Sequence, residues 1–417
     1  MAQLSDDCFA FGGELMKAAE AIRILAERVA PVATPETVPL TAARGRTLAA
    51  DLVAQRDVPP HDNAAVDGYA VHFDDLAAEG ETRLPIEGRV AAGHPLPEAP
   101  RGVAVRIFTG APMPLGPDTI FMQEDARIEG NTAIFPPGIK RGANRRKAGE
   151  DVRAGTTILR KGQRLRPQDI GLAASVGAAK LSVYNILKVG VFSTGDELRE
   201  PGEQTPPGAV YDANRYVLRA LLGQLGCDVK DFGIVPDRKD QIRQTLSNAA
   251  VTCDAIITSG GMSTGDEDHV RAAVETLGSI HFWRLAIRPG RPVALGHVKG
   301  SPFVGLPGNP VAMMVTFLRF ARPVLLRLGG ATDIEPRTFR VRADFDTQKK
   351  EGRREWLRAR LLPGPDGIPT ARRFPRDGAG ILTSLVESDG LIELPEDVTH
   401  VAAGTMVDFL PFSEVGV

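Results

Sequence analysis

The sequence predicts an α/β protein with added β modules: a doubly wound, mostly parallel-sheet domain, an inserted β-rich domain and a small C-terminal β domain. Three observations predict it. Between residues 186 and 330 short apolar runs alternate with helical patterns, as parallel sheets with crossover helices require. From 50 to 149 the apolar runs are short and broken by Pro and Gly. After Gly329-Gly330 the alternating texture of strands returns, as in Phe339 to Phe345 and Gly390 to Leu394.

The elements follow in order. Leu15, Ala18, Ile22, Leu25 and Val29 recur at spacings of three and four, the apolar face of a helix over residues 14–30 that Pro31 stops. In the β-rich part, Ile120-Phe121-Met122 and Thr132 to Phe135 flank Glu129-Gly130-Asn131 like a hairpin. Residues 165–183 read as a short helix and a connection. Strands are expected at Leu187 to Phe192, Val229 to Val235, Asp254 to Thr258 and Pro302 to Leu306. Helices are expected at Arg215 to Leu225, Lys239 to Ala250 and His269 to Leu277. The tail reads as a separate small β-barrel or sandwich. The implied division is 1–49 and 150–185 as two halves of a helical linker, 50–149 inserted between them, 186–330 as the α/β domain and 331–417 as the tail.

Composition narrows the function. At 417 residues the chain is long enough for about three domains at roughly 150 residues each. Gly 44 and Pro 32 exceed a sixth of it, which implies many turns. With 50 basic against 52 acidic residues it has no global basic field for nucleic acid. The three cysteines form no C-x-x-C, which excludes a disulfide framework or a Cys-based zinc site and fits a cytoplasmic protein. The first residues carry Asp6 and Asp7 without an apolar core, unlike a signal peptide. No apolar run approaches the length of a membrane span. P-loop, G-x-G-x-x-G, H-E-x-x-H and G-x-S-x-G motifs are absent, so NAD, zinc-hydrolase and serine-hydrolase readings lack their usual residues.

Chemistry concentrates where the expected parallel strands end. Ligands of open parallel sheets bind outside the strands' carboxyl ends. The first strand runs into Ser193-Thr194-Gly195-Asp196-Glu197 and the second into Pro236-Asp237-Arg238. The third runs into Ser259-Gly260-Gly261-Met262-Ser263 and on to Asp268. The last runs into Pro307-Gly308-Asn309-Pro310. Glycines and hydroxyls suit an anion approached by backbone N–H groups. Carboxylates beside an anion repel it unless a cation intervenes, so Glu197, Asp237 and Asp268 suggest Mg²⁺ between protein and phosphate. Any one loop could be an ordinary turn or helix cap; four in register argue otherwise. Arg288-Pro289-Gly290-Arg291-Pro292 is a basic turn able to hold an oxyanion, or else a solvated hairpin tip. Lys140, Arg141, Arg145, Arg146 and Lys147 read first as a solvated face, and alternatively as a phosphate-steering rim beside Glu150 and Asp151.

In order, the chain carries Asp62-Asn63-Ala64-Ala65-Val66-Asp67-Gly68-Tyr69-Ala70, Thr109-Gly110-Ala111, Gly149-Glu150-Asp151 and Ser193 to Leu198. Ser259-Gly260-Gly261, Arg288 to Pro292 and Leu306 to Pro310 follow. This series resembles the molybdopterin molybdenumtransferases of molybdenum cofactor biosynthesis, which are related to the gephyrin E domain. The resemblance runs from about residue 10 to the end. It implies an elongated homodimer of four modules with a C-terminal β-barrel. It also implies a Mg²⁺-assisted reaction that joins molybdate to adenylyl-molybdopterin and releases AMP.

Matched by motif, the resemblance points to Asp67, Thr109, Asp151, Glu197, Asp237 and Asp268 as catalytic. Pro307 and Pro310 shape the neighbouring loop. Arg288 and Arg291 stand where the family usually has lysines, and Arg353 matches an arginine of the molybdate side, with Arg358 nearby. Ala312 and Ala379 replace serines often found in the family, removing two hydroxyl donors. Partners implied are the two substrates, a second copy of the chain, and molybdoenzymes or other cofactor-biosynthesis proteins. Molybdopterin adenylylation is a second reading, weakened by the three extra modules; a non-catalytic, cofactor-carrying scaffold is a third.

Overall fold

The computed structural model describes residues 15–261, 269–290, 292–364 and 366–417. Its central sheet has six strands in the order Asp228–Val235, Lys188–Thr194, Ala255–Ser259, Ser301–Leu306, Pro292–Val298 and Gly278–Arg284. The first four are mutually parallel and the last two antiparallel. From Lys188–Thr194 the chain moves to one side of the sheet and then crosses to the other. A crevice therefore opens at the carboxyl ends beside that strand, the usual ligand position in open sheets.

Alternation along the strands shows why the sheet is covered twice. Val189, Val191, Ala255 and Ile257 pack on one face with Leu218, Leu221 and Leu222 of the helix Ala213–Gln224. Phe192 and Ile256 turn to the other face, against Ile242 and Leu246 of Lys239–Thr252 and Val270 and Val274 of His269–Leu277. Successive strand residues point to opposite sides, so near-continuous apolar runs are what two helical layers demand.

Beyond this domain, Pro35–Pro39 pairs antiparallel with Lys180–Tyr184, joining the two stretches of chain that bracket the insertion. The stretch expected as a connection after the helix Pro167–Ser175 is thus a strand. Between these stretches lies a six-stranded curled sheet ordered Thr119–Met122, Gly68–Val71, Ala104–Ile107, Thr82–Val90, Thr132–Phe135 and Arg127–Glu129. The expected hairpin is corrected here. The Gly130-Asn131 turn joins Arg127–Glu129 to Thr132–Phe135, whereas Thr119–Met122 pairs with Gly68–Val71. A short 3-10 turn, Gln123–Asp125, separates the two, and a turn-based reading could not see it.

The tail closes into a five-stranded barrel. Arg354–Leu362 pairs with Thr370–Arg373 and Gly390–Leu394; Phe339–Ala343 and Met406–Pro411 complete the ring. Leu357 and Ala359 fill its interior with Val341, Ile392 and Phe409. Trp356, on the opposite face of the same strand, belongs to the core of the α/β domain. The short strand Ile287–Arg288 pairs with Arg354 and Glu355, adding an α/β segment to the barrel edge.

Candidate functional site

Register brings the expected loops together. Thr194 is paired with Val235, Ser193 with Ser259, and Ser259 with Leu306, so the four parallel strands end at one edge. The loops are then tied to one another. The Gly260 N–H donates to the Leu306 carbonyl at 3.1 Å. Asn214 donates through Nδ2 to Ser259 Oγ at 2.8 Å and to the Gly308 carbonyl at 2.7 Å, while Ser259 Oγ donates to the Pro307 carbonyl at 3.2 Å. Asn214 starts the helix Ala213–Gln224, capped by Asp212, whose carboxylate accepts from the Arg215 N–H at 3.1 Å. Sequence reading missed Asn214. The Asp-x-Asn pattern before a helix marks a cap, but its second role exists only once three loops converge.

The edge is acidic. The Asp237 N–H donates to Asp196 Oδ1 at 3.2 Å, bringing the second loop against the first. Burial pushes the Asp237 carboxyl up, with Asp196 and Glu197 adding to the push and His269 opposing it. Glu197 folds back over Gly195, where a Cβ would lie 2.6 Å from its Oε2; the glycine, at φ +153°, is required by that approach. No ion pair to Asp196, Glu197 or Asp237 occurs among the described residues. Oxygen donors alone, mutually repelling and half-buried, fit a hard cation such as Mg²⁺. Among the described residues, however, no group of three His, Cys, Asp or Glu is close enough to hold a metal. Asp268, Ser263 and Arg291 lie outside the described residues.

Pro310 begins the helix Pro310–Thr316, a position that tolerates its missing N–H, with Asn309 as N-cap. From here the site continues into a second compartment. The Val311 N–H donates to the Ala379 carbonyl at 2.8 Å. Gly290, at φ +87°, lies where a Cβ would meet Thr316 at 2.7 Å and the Ala312 carbonyl at 3.2 Å. Between the helix and the barrel is a cavity of about 270 Å³, lined by Ile287, Arg288, Pro289, Gly290, Arg353, Trp356, Leu357, Arg358, Asp377, Gly378 and Ala379. Arg288 contacts Glu355 at 3.4 Å and Asp377 at 3.5 Å. Burial works against the Asp377 carboxylate, but Arg373, Arg288 and Arg358 hold it below its ordinary value. Arg288 and Arg353 are therefore brought together, with Arg358 between the barrel and the α/β domain. Ala312 and Ala379 both adjoin this cavity and leave its walls short of hydroxyls.

The remaining candidates form a separate group. Thr109 donates to Asp67 Oδ1 through its backbone N–H at 2.8 Å and its hydroxyl at 2.7 Å. These two bonds hold Asp67 below its ordinary value, helped by the charge of Arg106. Arg106 lies over the rings of Tyr69 at 5.0 Å and Phe108 at 4.7 Å, and Arg89 covers Phe108 at 4.6 Å. Asp151 follows the loop that donates its N–H to the Val58 carbonyl at 3.0 Å. No hydrogen bond among the described residues joins Asp67, Thr109 or Asp151 to the sheet edge.

Comparison with known proteins covers the whole architecture. Residues 16–177 match the model for the MoeA N-terminal region (domain I and II), 190–327 a probable molybdopterin binding domain, and 340–412 the MoeA C-terminal region (domain IV). The chain is 37% identical over 383 residues to the molybdopterin molybdenumtransferase of Haemophilus influenzae, covering 91% of this chain and 94% of that one. It is 36% identical over 396 residues to molybdopterin molybdenumtransferase 2 of Mycobacterium tuberculosis, covering 92% and 96%. The crystal structure of the molybdopterin biosynthesis MoeA protein of Pyrococcus horikoshii OT3 superimposes with a TM-score of 0.81 at 30% identity, over 95% of this chain and all of that one.

Proposed function

The chain belongs to the molybdopterin molybdenumtransferase family, and on that premise we propose that it joins molybdate to the dithiolene of adenylyl-molybdopterin with release of AMP. One observation carries the reading: the segment from Pro307 to Ala312 belongs to both compartments. Its Gly308 carbonyl is bound at the acidic edge, while its Val311 N–H is bound to the wall of the arginine cavity. A nucleotide-bearing pterin at the edge and an oxyanion in the cavity would thus lie on two sides of one rigid turn. Positioning of this kind is the main contribution a protein makes when charge, rather than covalent chemistry, sets the barrier.

In this reading Ser193, Thr194, Gly195, Ser259, Gly260, Gly261 and the Pro307–Pro310 turn cradle the substrate's pterin and phosphates. Arg288 and Arg353, with Arg291, attract the molybdate dianion. Glu197 and Asp237, with Asp268, would hold Mg²⁺, which when bound would neutralise charge on the phosphates. Asp67 and Thr109, interlocked outside the α/β domain, would face the sheet edge of a second copy in a homodimer, and Asp151 would join them there. A cytoplasmic location agrees with the sparse, unpaired cysteines, and no helix among the described residues is long and apolar enough to cross a membrane.

The test is AMP release. Purified protein given adenylyl-molybdopterin, Mg²⁺ and molybdate should release AMP in step with metal insertion; no release over background sinks the proposal. Dimer formation is checked separately by light scattering, with a monomeric mass at working concentration removing the second-copy role of Asp67 and Thr109.

A further inference from the structure

Arg358 is only 6% exposed, yet it lines the cavity that Arg288 and Arg353 share. Its strand explains the placement. Leu357 and Ala359 point into the barrel, so Trp356 and Arg358 must point out of it, toward the α/β domain. There its guanidinium meets only neutral acceptors. Nε donates to Ser384 Oγ at 2.9 Å, and Nη2 donates to the carbonyls of Arg376 at 3.2 Å and Gly378 at 3.3 Å. Ser384 is set to accept because its own hydroxyl donates to the Ile381 carbonyl at 2.6 Å. No carboxylate lies within ion-pair distance of Arg358 among the described residues. Asp377, the nearest acid, is engaged by Arg373 and Arg288.

A buried cation without a counter-ion is a costly arrangement that proteins keep when a ligand completes it. Burial and the neighbouring charges of Arg373 and Arg288 push the Arg358 guanidinium below its ordinary value, with Asp377 opposing only in part. An anion in the cavity would reverse that push. The planar fork, fixed by three hydrogen bonds, presents its remaining N–H groups without the loss of side-chain freedom that a surface arginine suffers.

We infer that Arg358 is a further oxyanion-binding residue of this chain, supplying from the barrel wall the donors that Ala312 and Ala379 do not. The inference rests on the molybdenum-transfer reading for the identity of the anion and on the cavity alone for its charge. Arg288 and Arg353 recruit a tetrahedral dianion from the rim, and Arg358 binds it at the buried wall.

Molybdate is titrated calorimetrically into the intact protein and into Arg358→Gln and Arg358→Lys variants, each checked for folding by circular dichroism. The charge-free Arg358→Gln variant should bind at least about ten-fold more weakly, the loss of one charge-assisted bond. Arg358→Lys should recover most of that loss. Unchanged affinity in Arg358→Gln, or equal weakening in both variants, overturns the inference; equal weakening would mark a loop staple. Should Arg358→Gln fail to fold, tungstate-soaked crystals of the unaltered protein decide. An anomalous peak within hydrogen-bond reach of the Arg358 Nη atoms supports the assignment. A peak held elsewhere, or none, overturns it. AMP release separates this inference from the reading it rests on. Loss of molybdate affinity in Arg358→Gln by a protein that never releases AMP keeps Arg358 and removes the transferase reading; AMP release with Arg358-independent affinity does the reverse.

Discussion

The acidic sheet edge and the arginine cavity are adjacent but built in opposite ways. Each loop of the edge follows directly from its own strand, so the chemistry sits within a few residues of the element that places it. The cavity is assembled from Ile287 to Gly290, Arg353 to Arg358 and Asp377 to Ala379, segments that meet only because the barrel closes and docks. Their electrostatics differ as well. Asp196, Glu197 and Asp237 crowd together without an arginine, whereas the cavity sets arginines beside Glu355 and Asp377 and leaves one of them without an acid. The difference teaches that like charges are kept apart until substrates arrive: one compartment is short of a cation, the other of an anion.

The strongest attempt to break this contrast is Glu197→Gln. Turnover measured by AMP release should fall about 10²-fold or more, the scale of losing one preorganised electrostatic group. Chelation of divalent metal should reproduce the fall and Mg²⁺ should reverse it. Rates within a few-fold of the unaltered protein would remove the acidic half from the chemistry. Next comes Arg353→Ala, which should raise the molybdate concentration for half-saturation by about ten-fold with little change in the maximal rate. An unchanged dependence would leave the cavity without a role in recruiting the oxyanion.

Smaller effects sharpen the comparison. Asp196 raises the Asp237 carboxyl, so Asp196→Asn should lower it and move the acid limb of the pH–rate profile to lower pH. A limb that stays in place would show that Asp237 does not govern it. The smallest effect is expected at Thr109→Val. The two Thr109 bonds favour ionised Asp67 in the folded state. Their contribution is therefore fully present above the ordinary aspartate range and lost as pH falls through the lowered value. Deleting the hydroxyl should return the Asp67 titration part of the way to its ordinary position, read by carbon-13 NMR of the carboxyl. No shift would show that the backbone bond alone is sufficient.

The same contrast explains what could be read without a structure. The strands at the edge were legible because parallel strands buried on both faces make continuous apolar runs, and their loops carry Gly, Ser and Asp in short patterns. Gly278–Arg284 and Pro292–Val298 were not identified as strands. The first follows the helix His269–Leu277 without a single turn residue between them, and the second follows the basic turn that drew the reading. Arg353 was found by motif, but the burial of Arg358 was not legible. One strand position decides it, and side-chain direction along Arg354–Leu362 depends on a barrel closure that no local pattern encodes. Asn214 was missed for the same reason, since its partners Ser259 and Gly308 are distant in sequence.

The strand Arg354–Leu362 is a party wall. Its odd-numbered residues Leu357 and Ala359 furnish the barrel, while Trp356 furnishes the α/β domain and donates its indole N–H to Glu393 at 3.0 Å, an acid that Arg319 of the α/β domain also contacts at 3.4 Å. Such a wall limits how the chain can be rearranged. A barrel exchanged between relatives would fold on its own interior residues yet bring foreign outward ones to a neighbour's core. Even-numbered positions of this strand must therefore travel with the α/β domain they face, and exchange is bounded residue by residue, not domain by domain.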